Sequence, residues 1–358
     1  MSLADLLARR IAVQGPVTVA EYMAAALSHP RFGYYATRDP FGAEGDFTTA
    51  PEISQMFGEL VGLWCGDLWL RMGRPDPVRL VELGPGRGTL MADALRALDK
   101  VPGFAAAARI HLVETSPALR RIQRDQLSGV RAAWHDRLAD VPDGPSLIVA
   151  NELFDALPIR QFQMTKGGWR ERLVDHDPEA GGFRFTLAAQ GDPITALVPR
   201  TLDDSPPGAI VEICPSGLSL AAELGRRAAS GGAALVIDYG YDRPGTGDTL
   251  QAVRRHGFVD PLTDPGGADL TAHVDFRAVA EAGRQSGAAS WGPVGQGAFL
   301  LALGIAERAA ALKRKATASQ ATDIDSALGR LTASDQMGTL FKALALAQPA
   351  LGAPAGFA

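Results

Sequence analysis

Cysteine is almost missing from this sequence. Cys65 and Cys214 are the two among 358 residues, and their spacing suits neither a metal site nor a redox pair. A disulfide framework is therefore excluded, and a reducing compartment fits best. Long apolar runs are missing too: none reaches the ~18–20 residues that a membrane span requires. The first ten residues lack the continuous apolar stretch and small-residue cleavage site of a secretory leader, and Asp5 disfavours an amphipathic transit helix. Together these absences give the expectation of a soluble, cytoplasmic protein.

Positive charge is also scarce, with 35 Lys and Arg against 40 Asp and Glu and a formal net charge of -5. A nucleic-acid surface normally shows as a basic excess, so no nucleic-acid partner is expected. Lys313-Arg314-Lys315 is a tight basic run and reads as a solvated helix face. The sequence has no H-E-x-x-H, no Cys/His cluster and no G-x-S-x-G, which leaves zinc and serine-hydrolase chemistry without support. No metal is expected, and no internal repeat is visible.

What is present is an ordinary globular composition, 46% hydrophobic, enough to bury a core. To about residue 74 the chain reads as helical, with helices over 19–28 and 53–72; Pro51 and Glu52 suit the start of the second. Gly45-Asp46-Phe47-Thr48-Thr49 lies between them as a turn-rich loop. From Val78 the period changes. Apolar strands are predicted over 78–83, 110–113, 130–134, 146–151 and 233–238, with helices over 89–98, 118–126 and 218–229 between them. This alternation implies a parallel sheet covered on both faces. Runs over 169–174 and 183–187, joined by Asp177 to Gly182 through Ala180, read as an inserted hairpin. A helix is expected over 276–282, a last strand over 297–304, and a helical tail from 305 with a loose segment at 317–325.

The motif of greatest chemical weight is Glu82-Leu83-Gly84-Pro85-Gly86-Arg87-Gly88, directly between a strand and a helix. Its glycines let the backbone turn sharply and approach a ligand without an intervening Cβ. The spacing is not G-x-G-x-x-G, and Glu114 stands farther along than the ~20 residues typical of nicotinamide sites. A carboxylate at Glu82 would repel a pyrophosphate but attract the amino group and sulfonium of S-adenosylmethionine. The acid-x-Gly-x-Gly-x-Gly form is similar to the first motif of Rossmann-like methyltransferases. It makes Glu82, Gly84, Pro85, Gly86 and Gly88 cofactor-binding candidates.

Other candidates lie at strand ends. Glu114-Thr115-Ser116 follows the second strand; an acid there can accept both ribose hydroxyls, although Thr115 or Ser116 could instead cap the next helix. Asp136, after the third strand, is a candidate for the adenine amino group. Asn151-Glu152-Leu153-Phe154-Asp155 follows the fourth, at the edge where open α/β sheets bind ligands. Glu152 and Asp155 are three apart, so a helical turn places both carboxylates on one side. Such a pair can hold a guanidinium; the alternative is that Asn151 and Asp155 satisfy loop backbone. Asp238, ending the fifth strand, reaches the same rim. His273 with Asp275 offers a base, or else Asp275 merely caps a helix.

Several motifs occur together and in order: Pro51-Glu52-Ile53-Ser54-Gln55 with Phe57-Gly58-Glu59, the Gly-rich turn, and Asn151-Glu152 with Phe154-Asp155-Ala156-Leu157-Pro158. After them come Ile237-Asp238-Tyr239-Gly240-Tyr241, Gly247-Asp248-Thr249-Leu250, His273-Val274-Asp275-Phe276 and Met337-Gly338 with Leu340-Phe341-Lys342. The combination resembles the MidA-like methyltransferases, a family that includes a mitochondrial assembly factor for respiratory complex I. The resemblance implies an α/β fold: a Rossmann-like class I methyltransferase sheet with N-terminal helices, an inserted hairpin region and a helical C-terminal tail. The expected divisions are a helical extension packing on the core at 1–75, a core at 76–304, and a tail at 305–358. The core carries an insertion at about 160–215 and substrate-side loops at about 240–275. S-adenosylmethionine is the implied cofactor and a protein arginine the implied acceptor, with Glu152, Asp155, Asp238 and His273 as catalytic candidates. A non-catalytic scaffold that keeps the fold is the rival from another class, and a nicotinamide oxidoreductase the weaker one.

Overall fold

The computed structural model describes residues 2–37, 48–179 and 181–357. Gly45, Asp46 and Phe47 of the expected loop, and Ala180 of the expected hairpin turn, lie outside the described residues. The central sheet is built from β1 (Val78–Leu83), β2 (Ala108–Val113), β3 (Ala132–His135), β4 (Ser146–Asn151), β5 (Gly232–Tyr241), β6 (Ala289–Gly295) and β7 (Phe341–Ala347). Their spatial order is β6-β7-β5-β4-β1-β2-β3. Strands β1 to β5 pair in parallel, whereas β7 runs antiparallel to both β5 and β6.

Near-continuous apolar strands require cover on both faces, and alternate side chains find it. Leu80, Leu147 and Leu235 pack on one side with α1 (Gln55–Arg71) and α2 (Thr89–Leu98). Val81, Ile148 and Val236 pack on the other with α4 (Pro215–Ala229) and α5 (Phe276–Gln285). The helix α3 (Pro117–Gln126) follows β2. A glycine stripe lets α1 approach α2 closely: a Cβ at Gly62 would lie 2.7 Å from the Ala94 Cα, and one at Gly58 2.7 Å from the Asp93 Cβ.

Four expectations change. The helix predicted over 53–72 is two pieces, Ala50–Ile53 and α1, because Ser54 is extended and caps α1 through Met56 N at 3.2 Å. Residues 297–304 form no strand; Gln296–Ala302 is a helix burying Gln296, Phe299 and Leu300 on one face, and the strand is β6 before it. The segment expected to be loose is a helix, Ala318–Thr332, whose start carries the Thr317/Gln320 capping box. The tail is not helical throughout either: it supplies β7 to the sheet interior. Its alanine- and leucine-rich sequence favours helix locally, but β5 and β6 pair with it on both sides.

The insertion is larger than a hairpin. Arg160–Thr165, Gly168–Asp177, Gly182–Leu187 and Ile210–Ile213 join Val17–Thr18 in a five-stranded antiparallel sheet. In the stretch expected as loop, Gln251–Arg254 pairs with Gly257–Val259 on one side and Asp269–Thr271 on the other, a three-stranded sheet. The N-terminal helices Leu3–Gln14 and Val19–Ser28 pack on these additions, with Leu7 and Tyr22 in one cluster with Val174, Leu250 and Leu270. Both additions flank the carboxyl ends of β4 and β5.

Candidate active site

The turn after β1 has the backbone its glycines permit: φ is +61° at Gly84, +52° at Gly86 and +85° at Gly88. A Cβ on Gly84 would sit 2.8 Å from the Leu153 Cδ1. A small cavity opens over the turn, bordered by Glu82, Gly84, Pro85, Gly86, Asn151 and Glu152. Pro51 and Glu52 face it from the other side, and the Thr89 hydroxyl donates to Glu52 Oε1 at 2.5 Å. Two buried polar atoms here, Glu82 Oε2 and Asn151 Oδ1, have no hydrogen-bond partner among the described residues. Burial pushes the Glu82 carboxyl up to about 8; an uncompensated ion costs too much in an apolar surround.

Beyond β4 the chain turns through Glu152, whose φ is +50°, a rare conformation for a residue with a side chain. Glu152 Oε1 accepts from Ala50 N at 2.8 Å and from Asn151 Nδ2 at 3.1 Å, tying the loop to the short helix Ala50–Ile53. Burial raises its carboxyl to about 7, with the charge of Asp155 adding to the rise. Asp155 is buried, and burial raises its carboxyl.

Asp238 is not exposed to this space. It is completely buried, and Oδ2 accepts from the backbone N–H groups of Leu153, Phe154 and Asp155 at 3.1, 2.8 and 3.2 Å. Its other oxygen takes Tyr239 N at 2.9 Å. The carboxyl therefore holds the acidic loop in shape, which corrects its placement among groups reaching the rim. His273 differs from expectation too. Its backbone N–H donates to Thr249 Oγ1 at 2.9 Å, its ring meets Tyr239 edge-on at 5.2 Å, and burial lowers its pKa. Asp275 caps α5 through Ala278 N at 2.9 Å, and no His273–Asp275 hydrogen bond forms among the described residues. His273 lines a separate cavity of about 570 Å³ on the far side of Phe154, so the expected base is not assembled with Glu152.

Around the second strand, Glu114 Oε1 accepts from Ser116 N at 2.7 Å and Oε2 from Gln123 Nε2 at 3.3 Å. A carboxylate has about four acceptor positions, so capacity remains for hydroxyl donors. Ser116 is the N-cap of α3, its hydroxyl accepting from Leu119 N, and Thr115 is exposed. Asp136 pairs with Arg120 at 2.7 Å and is otherwise open to solvent. Sequence reasoning missed Gln123. Fully buried, it donates to Gly86 O at 2.8 Å and accepts from Trp134 Nε1 at 2.9 Å, joining the glycine turn to Glu114. Its one local signal is its place four residues after Leu119, on the buried face of α3.

A family model with the description "Putative S-adenosyl-L-methionine-dependent methyltransferase" matches residues 60–294, from α1 through β6. The chain belongs to this methyltransferase family. Among curated proteins it is 41% identical over 376 residues to the Drosophila melanogaster protein arginine methyltransferase NDUFAF7 homolog, mitochondrial, covering 96% of this chain and 84% of that one. It is 44% identical over 333 residues to the mitochondrial protein arginine methyltransferase NDUFAF7 of Mus musculus, covering 86% and 75%. A Burkholderia thailandensis crystal structure of a COG1565 superfamily member bound to S-adenosyl-homocysteine superposes with a TM-score of 0.84 at 31% identity, covering 99% of this chain and 94% of that one. The enzyme is thus an S-adenosylmethionine-dependent methyltransferase with the class I fold. The residues present fit that donor: the orphaned Glu82 and Asn151 oxygens are acceptors for a cationic amino group, beside a turn no Cβ obstructs. The expected cytoplasmic location is overturned, since these curated relatives are mitochondrial proteins; a reducing interior read from cysteine content does not distinguish one compartment from another. Among the described residues no helix is long and apolar enough to cross a membrane, and no metal-binding group of side chains occurs.

Proposed function

We propose that this methyltransferase methylates a guanidinium nitrogen of an arginine in a protein substrate. The observation that carries the reading is the pair Glu152 and Asp155: one half-buried and one buried carboxyl on one loop, with no ion-pair partner among the described residues. Burial disfavours ionisation of both carboxyls, and a planar cation with several N–H donors would satisfy both. The mitochondrial relatives named as protein arginine methyltransferases support the same acceptor. The family resemblance makes a respiratory complex I subunit the first acceptor to test.

In this reading Glu82, Asn151 and the glycine turn hold the methionine portion of the donor, Gly84 and Pro85 bordering it. Glu114, fixed by Gln123 and Ser116 N, faces the ribose; Thr115 and Asp136 lie on the solvent side of the same end. When bound, the donor supplies a methyl group on a positively charged sulfur. Transfer forms an N–C bond and breaks the C–S bond, the electron pair staying on sulfur. The nitrogen then releases a proton. Glu152, whose Oε1 is taken by Ala50 and Asn151 while its carboxyl titrates near neutrality, accepts it. The rest of the work is positioning two cations together while water is kept out.

Labelled methyl transfer into lysate of a strain lacking the enzyme tests the proposal. The expected product is protein-bound label recovered as methylarginine after hydrolysis. Label in lipid or small molecules, or no transfer with cofactor binding intact, overturns it; the second outcome favours a scaffold. The variant Glu152→Gln should lose roughly a hundredfold in kcat or more while S-adenosylhomocysteine affinity stays within threefold. Unchanged turnover would remove Glu152 from the reaction.

A further inference from the structure

Glu52 is brought to the donor cavity by a segment that precedes the residues matched by the family model. Its short helix, Ala50–Ile53, is seated against α1, α2 and Ala318–Thr332, with Ala50 and Pro51 buried. Two hydrogen bonds fix the helix beside the glycine turn. Ala50 N donates to Glu152 Oε1 at 2.8 Å, and the hydroxyl of Thr89, the first residue of α2, donates to Glu52 Oε1 at 2.5 Å. The half-buried Glu52 carboxyl is thereby held at the border of the cavity that Glu82, Gly84, Asn151 and Glu152 also line. Its Oε2 takes no hydrogen bond among the described residues. Neither Glu52 nor Glu82 has an ion-pair partner among them, although Arg87 lines the same cavity.

We infer that Glu52 is a specificity-determining residue for the donor, a fixed negative charge that makes the site prefer S-adenosylmethionine to S-adenosylhomocysteine. The two ligands share their amino, carboxyl and adenosyl groups and differ at sulfur, which is positively charged in the first and neutral in the second. Glu82 and Asn151 offer buried acceptors, which suit the N–H donors of an amino group. Both ligands carry that group, so these acceptors cannot tell them apart. A charged sulfur donates no hydrogen bond and is answered by an opposite charge alone. The sulfur has to lie between the glycine turn, which holds the methionine portion, and Glu152, which faces the acceptor; this placement rests on the function proposed above. Glu52 is bonded toward the first through Thr89, and its helix is bonded to the second through Ala50 N. Once the methyl group has left, the attraction ends, and Glu52 favours exchange of the product for fresh donor.

The test is Glu52→Gln, which keeps the shape and an acceptor for Thr89 but removes the charge. In calorimetric titrations of the full-length protein, Kd for S-adenosylmethionine should rise roughly tenfold, and Kd for S-adenosylhomocysteine by less than about twofold. Sinefungin, which carries an amine-bearing carbon in place of the charged sulfur, should weaken as S-adenosylmethionine does. Thr89→Val, which leaves the charge but frees it, should lose a smaller part of the preference. Glu82→Gln, acting on the shared amino group, should weaken both ligands alike. Equal weakening of both ligands by Glu52→Gln, or of neither, overturns the inference. Should that variant fail to fold, Thr89→Val decides, and an unchanged ratio of the two affinities there overturns it. If the parent labels no arginine in lysate, the acceptor proposal fails on that result, whereas the ligand comparison, which contains no acceptor, still decides the role of Glu52.

Discussion

At the scale of single residues, burial disfavours ionisation of the carboxyls of Glu82, Glu152 and Asp155. Glu82 shows the sign most clearly. Its folded-state value of about 8 lies above the ordinary 4.5, so the folded protein without cofactor binds the proton more tightly than the unfolded chain does. Stability contributed by this group is therefore present at low pH and is lost as pH rises from about 4.5 through about 8. A cationic amino group reverses the preference. Cofactor affinity should climb as pH rises toward about 8 and level off above it, and binding at pH 7 should release protons, read by calorimetry in buffers of different ionisation enthalpy. Affinity that is flat between pH 6 and 9 would refute this. Replacing Glu82 by Gln should cost roughly 1.5–3 kcal/mol of cofactor binding, about ten- to hundredfold, while raising the Tm of the cofactor-free protein at pH 8. Much of this site was readable in advance, because Glu82, the glycines, Glu152 and Asp155 sit in short local motifs whose spacing carries the chemistry. Gln123 and Glu52 were not, since each reaches the site from an element distant in sequence. Asp238 was misread for a related reason: its type announces hydrogen bonding, but only the fold decides that the partners are backbone N–H groups.

Elements tell a similar story. The strands β1, β4 and β5 were visible because apolar residues fill both faces, and α2 because its pattern follows a glycine turn. What period could not decide was β7, where alternate Ala and Leu suit a helix as well as a strand. Pairing settled it. The contact of α1 with α2 offers a direct test of element packing. Gly62→Ala should force the helices apart, because the new Cβ would meet backbone rather than a flexible side-chain end. We expect a loss of about 1–3 kcal/mol, measured by urea denaturation, with S-adenosylhomocysteine affinity little changed. A fully neutral substitution would show that the seam is looser than described.

For the whole molecule, the tail is a structural member of the sheet. Ile305–Lys313 is pinned to α1 through Arg308, whose guanidinium holds the buried Glu59 at 2.7 and 3.0 Å. After Ala318–Thr332, the chain returns to thread β7 between β5 and β6. A chain ended at Gln336 would lose that strand, leaving β6 unpaired and β5 with a bare edge. It should lack a cooperative thermal transition and the stabilisation by S-adenosylhomocysteine seen in the full chain; a normal melting curve would contradict this arrangement.

The position of β7 also sets an order of events during synthesis. The parallel half of the sheet can assemble once β5 has been made, but its open edge then waits for roughly a hundred more residues. At about 5–20 residues per second, that is some 5–20 s in which β5 presents unpaired backbone groups to any neighbouring strand. The nascent enzyme is therefore most exposed to mispairing after its cofactor cradle exists and before its last strand arrives, an interval in which cofactor alone cannot close the sheet.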